Sequence, residues 1–193
     1  MGIESSREAD NAARGHSTVG NQSKEEVEHD LLALISAGDR CALDKLYILY
    51  FAPLANFFWI LTTRSDLAEE LIHDTMFEVW RGGVSIGASA SVSLAIMRLA
   101  YSLAQKRLTA TIANQPHTQP AMHDTDHDSP TLTILDAPSN PQVFLSKLPF
   151  EEKAVVYLAH ASGHSRREIA DIMNISCESV DVLIGNARLR LRR

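Results

Sequence analysis

Five of the chain's seven prolines, Pro116, Pro120, Pro130, Pro138 and Pro141, crowd into one stretch, and this crowding divides the molecule. Proline lacks the backbone N–H and fixes φ, so neither a helix nor a central strand runs through residues 111–141. Between the prolines lie His, Thr and Ser together with Asp124, Asp126, Asp128 and Asp136, and no Lys or Arg. The segment reads as a flexible acidic linker of about thirty residues, longer than an ordinary connection inside a compact domain. The chain is therefore expected to fold as two blocks, residues 23–110 and 142–193. Residues 1–22 are polar, small and aperiodic, and read as a disordered tail.

Both blocks carry the helical period. Ser23 and Glu26 form a capping-box pair that opens a helix running to about Ala37, where Gly38 stops it. Asp39 caps the next helix, whose Leu43, Leu46, Tyr47 and Tyr50 recur at i, i+3, i+4 and i+7. Pro53 is expected to break or kink it. A third helix runs from Ser65 or Asp66 to Arg81 and ends at Gly82-Gly83; the Gly/Ser/Ala stretch to Ser91 reads as a loop. A fourth, Ser91 to Thr109, is apolar on most sides and is expected to be buried. In the second block Pro149 starts a helix that Gly163 closes after Ser162. Ser165 and Glu168 make another capping box, Asn174 suits the left-handed residue that ends a helix, and Ser176 caps the last one. No strand alternation is present. The fold class expected is all-α, two small helical domains joined by a flexible linker.

Several function classes fall away. With 45% hydrophobic residues the chain affords a real core. No unbroken apolar run approaches the ~20 residues that span a bilayer, and no secretory signal is visible, so direct membrane insertion is not expected. Cys41 and Cys177 stand far apart without a CxxC context, which argues against a disulfide framework and a cysteine zinc site. Cys41 reads as a buried structural thiol; Cys177, beside a helix cap, reads as accessible, with plain packing favoured over redox sensing. His117, His123, Asp124, Asp126, His127 and Asp128 have metal-ligating chemistry, but a proline-flanked stretch reads as solvated linker. No nucleophile elbow is present. No catalytic residue, metal or cofactor is expected, and the chain does not read as an enzyme. Its net charge of −6 opposes nonspecific nucleic-acid binding, yet it ends in Arg188, Arg190, Arg192 and Arg193.

Two features point to function. A short capped helix, the turn Asn174-Ile175-Ser176 and a second helix make a helix-turn-helix with Ile169, Ala170, Ile175, Val180 and Ile184 as shared core. A plain three-helix bundle is the alternative. In the third helix, Ala68, Ile72, Met76, Val79 and Trp80 share the core face. Glu70, Asp74 and Glu78 form an acidic stripe on the other side, with Leu67, Leu71 and Phe77 beside it. That pattern suits either an amphipathic helix with a widened core face or a docking surface for a basic, partly apolar partner.

These residues resemble a known family. The stretch DLAEELIHDTMFEVW from Asp66 to Trp80 is similar to the second conserved region of sigma-70 factors, and more narrowly to the small extracytoplasmic-function (ECF) group, whose pattern is close to D-x-A-E-D-L-x-Q-D-x-F-x-x-x-W. Gly38-Asp39 with Leu43, Leu46, Tyr47 and Tyr50 resembles the group's opening, and Leu148-Pro149 to Arg193 its ending. The resemblance implies a promoter-specificity subunit of bacterial RNA polymerase. Residues 23–110 would be the region-two-like domain, docking on the clamp coiled coil and opening the minus-ten element. Residues 142–193 would be the region-four-like domain, reading the minus-thirty-five element and touching the flap. Asp66, Glu70, His73, Asp74, Phe77 and Glu78 fall at or beside the docking positions, with His73 where the group has glutamine. An anti-sigma factor is a further implied partner, and the implied location is the cytoplasm, or the membrane surface where such a factor is membrane-bound.

The DNA-contact residues follow from resemblance and helical projection together. Arg98, Lys106 and Arg107 remain on the fourth helix for phosphate contacts, although the group's tryptophan, asparagine and aspartate are replaced around Ala95-Ile96 and Ser102. Arg166 and Arg167 open the helix-turn-helix. Ser176, Glu178, Ser179, Asp181, Val182, Asn186 and Arg188 occupy the start and outer face of the recognition helix, where Glu can accept from cytosine, Asn186 can pair with adenine and Val182 can meet a thymine methyl. The replaced positions motivate a second reading, a divergent sigma-like regulator that binds polymerase or an anti-sigma factor without opening promoters. A stand-alone helix-turn-helix regulator is a third.

Overall fold

A computed structural model describes residues 24–82, 91–114, 145 and 148–192 of the chain. Among these every regular element is an α-helix, as the periodicity predicts. The first block holds α1 (residues 24–36), α2 (Arg40–Thr62), α3 (Ser65–Trp80) and α4 (Val92–Asn114); the second holds α5 (Phe150–His160), α6 (Arg166–Met173) and α7 (Cys177–Leu191). The tail with Ser23, the loop residues 83–90, and the linker from residue 115 to 144, with its histidines and aspartates, lie outside the described residues.

Local chemistry sets most boundaries. Gly38, at φ +89°, closes α1 in a conformation that an L side chain resists. The Asp39 carboxylate accepts from the Cys41 and Ala42 backbone N–H groups at 2.8 and 3.3 Å and so caps α2. At α6 the capping box is complete: the Glu168 N–H donates to Ser165 Oγ at 3.3 Å and the Ser165 N–H donates to Glu168 Oε2 at 2.7 Å. Asn174 takes φ +55° and ends α6, and Ser176 Oγ accepts from the Ser179 N–H at 3.1 Å to begin α7.

Four expectations need correction. Helix α2 runs unbroken through Pro53. The proline strands the Leu49 carbonyl, but both residues face solvent, where water can take that acceptor, while Leu46, Leu54, Phe57 and Phe58 are fully buried on the other side and hold the helix together. Second, α4 extends to Asn114, so residues 111–114 belong to a helix and not to the linker. Third, Cys41 is exposed. Fourth, Leu71 is core, not part of the outer stripe, because α3 is packed by α2 on one side and α4 on another. By length and composition α2 is also apolar enough to cross a membrane; here it is the central core helix of the first block.

The two blocks meet. α4 packs on α6 and α2 packs on α5, and one apolar cluster runs from Leu46, Leu54 and Phe57 through Ile96 and Ala100 to Val155, Leu158, Ile169 and Met173. The Tyr157 hydroxyl donates to the Pro53 carbonyl at 3.0 Å, and the Tyr157 and Phe57 ring centroids lie 5.3 Å apart. Within the second block, Glu152 of α5 is buried and accepts from Arg190 Nε of α7 at 3.2 Å, which ties the end of the last helix to the start of the first.

Candidate functional site

Packing α3 across α2 leaves a groove between them of about 640 Å³. Leu43, Tyr47, Met76, Phe77 and Trp80 give it an apolar lining, and Asp44, Asp74 and Arg40 give it charge. His73 stacks on Tyr47 with ring centroids 6.1 Å apart and planes inclined by 27°. Phe77 is 56% exposed, and the Arg81 guanidinium lies 5.6 Å from its ring centre. An apolar trough edged by carboxylates suits a helix that presents aliphatic side chains and a cation.

The six residues expected to dock a partner all lie on α3, and Asp66, Glu70, His73 and Phe77 are exposed, with Asp74 and Glu78 half-buried. The structure gathers His73, Asp74 and Phe77 at the groove. Asp66 stands apart at the helix start, where the Arg64 guanidinium hydrogen-bonds it and holds its carboxyl below the usual carboxylate range. Glu78 faces Arg81 at 3.9 Å. Sequence reasoning missed the α2 side of the groove, Arg40, Asp44 and Tyr47. Tyr47 falls in the apolar stripe of α2, and nothing in its spacing shows that it borders a trough.

Two of the three cations of α4, Arg98 and Arg107, are engaged within the chain. Arg107 reaches back to α3, with Nη2 donating to Asp74 Oδ2 at 2.8 Å and Nη1 lying 3.8 Å from Glu70 Oε2. Arg98 Nε donates to the Asp171 carbonyl of α6 at 3.1 Å. Lys106 is exposed.

In the helix-turn-helix, Ile169, Ala170 and Val180 are buried and Ile175 and Ile184 pack against them, as the spacing predicts. The outer face of α7 presents Glu178, Val182, Gly185, Asn186 and Leu189, with Val182 61% and Leu189 65% exposed. Ser176 and Ser179 are absorbed in the cap, their hydroxyls 2.9 Å apart. Asp181 does not stand as a bare acid on this face: Arg166 Nε lies 3.0 Å from its Oδ1. Arg167 and Arg188 are exposed. The surface offers cations at the start of α6 and along α7, with a mixed apolar and amide centre, the pattern of a helix that enters a major groove.

Comparison with known proteins bears on both blocks. Residues 142–191 match the family model described as sigma-70, region 4. The chain is similar to the ECF RNA polymerase sigma factor SigM of Mycobacterium tuberculosis H37Rv, with 26% identity over 169 residues, 88% of this chain and 85% of that protein. SigM of the Erdman strain is 26% identical over 164 residues, covering 85% and 82%. Among solved structures, CnrH in complex with the cytosolic domain of CnrY superposes with a TM-score of 0.60 at 16% identity, over 86% of this chain and 95% of that one. RpoE from Bartonella quintana, solved with the anti-sigma factor NepR, gives 0.57 at 22% identity, over 77% and 93%. At those identities the two structures establish the fold. The second block is thus similar to region 4 of sigma-70 factors. Along most of its length the chain is similar to ECF sigma factors.

Proposed function

We propose that the chain docks on bacterial core RNA polymerase through the α2–α3 groove and directs initiation at promoters that α4 and α7 recognise together. The observation that carries this is the groove: an apolar trough with a half-exposed Phe77 and an acidic edge, on the helix where the ECF resemblance implies docking, in a chain whose other block is a region 4 helix-turn-helix. Glu70, Asp74 and Phe77 meet the clamp coiled coil, with Asp66, His73 and Glu78 around them. Arg98, Lys106 and Arg107 engage the minus-ten strand. Arg166, Arg167 and Arg188 hold phosphates at the minus-thirty-five element while Glu178, Val182 and Asn186 face base edges. The role is regulatory, and it belongs in the bacterial cytoplasm, or at the membrane surface where an inhibitor holds the factor. An anti-sigma factor is a further partner we propose, supported by the likeness to RpoE solved with NepR and by the exposed Val182 and Leu189 that such a partner would cover.

In vitro transcription with core polymerase from the source bacterium and genomic promoter fragments tests the reading, with Asp74→Arg as control. Protein-dependent starts that share spaced upstream elements, lost with Asp74→Arg, are the expected result. Core binding abolished by Asp74→Arg, with no transcript from any fragment, would favour the regulator that does not open promoters, a reading that the replaced α4 positions motivate. Duplex binding without polymerase would leave a stand-alone helix-turn-helix protein.

A further inference from the structure

Helix α2 is apolar on more sides than the chain covers. By length and composition it could cross a membrane, yet only 33% of its most apolar stretch is buried. Leu46, Leu54, Phe57 and Phe58 take up its inner side. On the outer side Cys41, Lys45, Ile48, Ala52, Ala55 and Trp59 follow one another in steps of four, three, four, three and four residues. All are exposed except the half-buried Ala55, with Ile48 at 77% and Trp59 at 38%. Alternating steps of three and four draw one narrow stripe along a helix, the spacing by which two helices interlock. Leu49 and Phe51, 40% and 43% exposed, flank it. None of Ile48, Ala52, Ala55 and Trp59 lines the α2–α3 groove, so this is a second surface.

The stripe is complementary to itself. Turned antiparallel about a two-fold axis between Ala52 and Ala55, two copies set Ala52 against the second copy's Ala55 and Ile48 against its Trp59. The alanine pairs let the helix axes close to about 8 Å, and the bulky pairs fill the space on either side. Lys45 makes no ion pair among the described residues. It comes within a turn of the second copy's Trp59, where its stem and its charge both find a partner. The four large side chains leave on the order of 400 Å² exposed per copy. With Lys45, Ala52 and Asn56 added, two copies cover about 1,200 Å², the lower end of specific interfaces. A bilayer fits the same surface poorly. The buried inner side forbids α2 from spanning, and Asp44 beside the stripe and a net charge of −6 oppose an anionic lipid surface.

We propose that the outer stripe of α2 is the interface of a symmetric dimer of this chain, two α2 helices packed antiparallel. An interface of about 1,200 Å² gives micromolar strength, so the chain is monomeric when dilute and pairs where it accumulates. The dimer does not rest on the polymerase reading, and a chain that fails to bind polymerase leaves it standing.

Sedimentation velocity of the full chain from about 1 to about 100 µM should show a reversible monomer–dimer equilibrium with a Kd on the order of 10 µM. Ala52→Lys and Ile48→Glu, both at exposed positions, should weaken it more than about tenfold. Their melting should stay within about 2 °C of wild type, which separates a lost interface from a lost fold. Val27→Glu, at an exposed apolar residue of α1, should leave the equilibrium unchanged. Disulfide capture reads the orientation. In chains carrying Cys41→Ser and Cys177→Ser, a mixture of Ala52→Cys and Ala55→Cys proteins oxidised with diamide should give the mixed dimer in excess over either like pair. A chain monomeric to about 100 µM, a dimer indifferent to Ala52→Lys and Ile48→Glu, or like pairs dominating the capture would overturn the proposal. So would a monomer that floats with phosphatidylglycerol vesicles and loses that binding with Ile48→Glu, a result that gives the stripe to lipid.

Discussion

Phe77→Ala is the sharpest test of the docking groove, because the side chain contributes little to the fold and much to any partner that fills the trough. A phenylalanine side chain carries on the order of 200 Å² of surface. With 56% of the residue exposed, about 110 Å² remains to be covered by a partner. At about 25 cal/mol per Å² that burial yields roughly 2.8 kcal/mol. Immobilising the ring takes back about 0.5–1 kcal/mol. A net loss of about 2 kcal/mol predicts core polymerase binding weakened roughly 30-fold. Within the chain, truncation removes the contact with Arg81, a solvent-exposed cation–π pair worth about 0.5–1 kcal/mol, so melting should shift by no more than about 4 °C. Ile48→Ala is the matched comparison: Ile48 is 77% exposed on α2 but does not line the groove, and its loss should leave affinity within about twofold. Fluorescence anisotropy of labelled protein titrated with core polymerase reads both. Wild-type affinity in Phe77→Ala, or equal weakening in the two variants, would refute the assignment of the groove as the docking site.

The second block supplies three further tests. Glu168→Ala opens the capping box at α6 and should cost about 1 kcal/mol, visible as a lower melting temperature that Glu168→Gln largely restores. Burial pushes the His164 imidazole below its ordinary value of 6.5, against a smaller opposing pull from Glu168. The unfolded chain therefore binds more protons below that value, and stability should fall as pH drops from neutral to about 5; His164→Gln should flatten this part of the melting profile. Asp181→Asn frees Arg166 for phosphate and should tighten promoter binding by holoenzyme severalfold, with a salt slope steeper by about one; Arg166→Ala in the same background should remove the gain.

Legibility in the sequence followed the range of the forces involved. The helix-turn-helix could be read residue by residue because its boundaries are short-range: the Ser165–Glu168 box, the left-handed Asn174 and the Ser176 cap each act within four positions. The outer face of α3 was legible for Glu70, Asp74 and Phe77 for the same reason. Leu71 was misplaced because periodicity assumes one buried face, whereas α3 is packed by both α2 and α4. Pro53 shows the reverse failure, a local rule overridden by the burial of Leu54, Phe57 and Phe58. The seam between the blocks was not readable at all. Tyr157, Phe150 and Tyr101 look like ordinary core residues of their own helices, and no pattern within a helix reveals that its apolar face meets a helix a hundred residues away.

Packing takes up much of the surface of α4. Ile96 is fully buried, and Ala100 and Ala104 bring α4 close to its neighbours, which approach from α2, α3 and α6. The group's tryptophan aligns with Ala95, which is half-buried, and the leucine after it with the buried Ile96. A helix surrounded on three sides has few positions left for nucleic acid, and two of its three cations are already engaged, Arg107 by α3 and Arg98 by α6. The same face cannot serve tight packing and strand capture at once. With tryptophan, asparagine and aspartate replaced, any strand contact by α4 would rest on Arg98, Lys106 and Arg107, all three exposed.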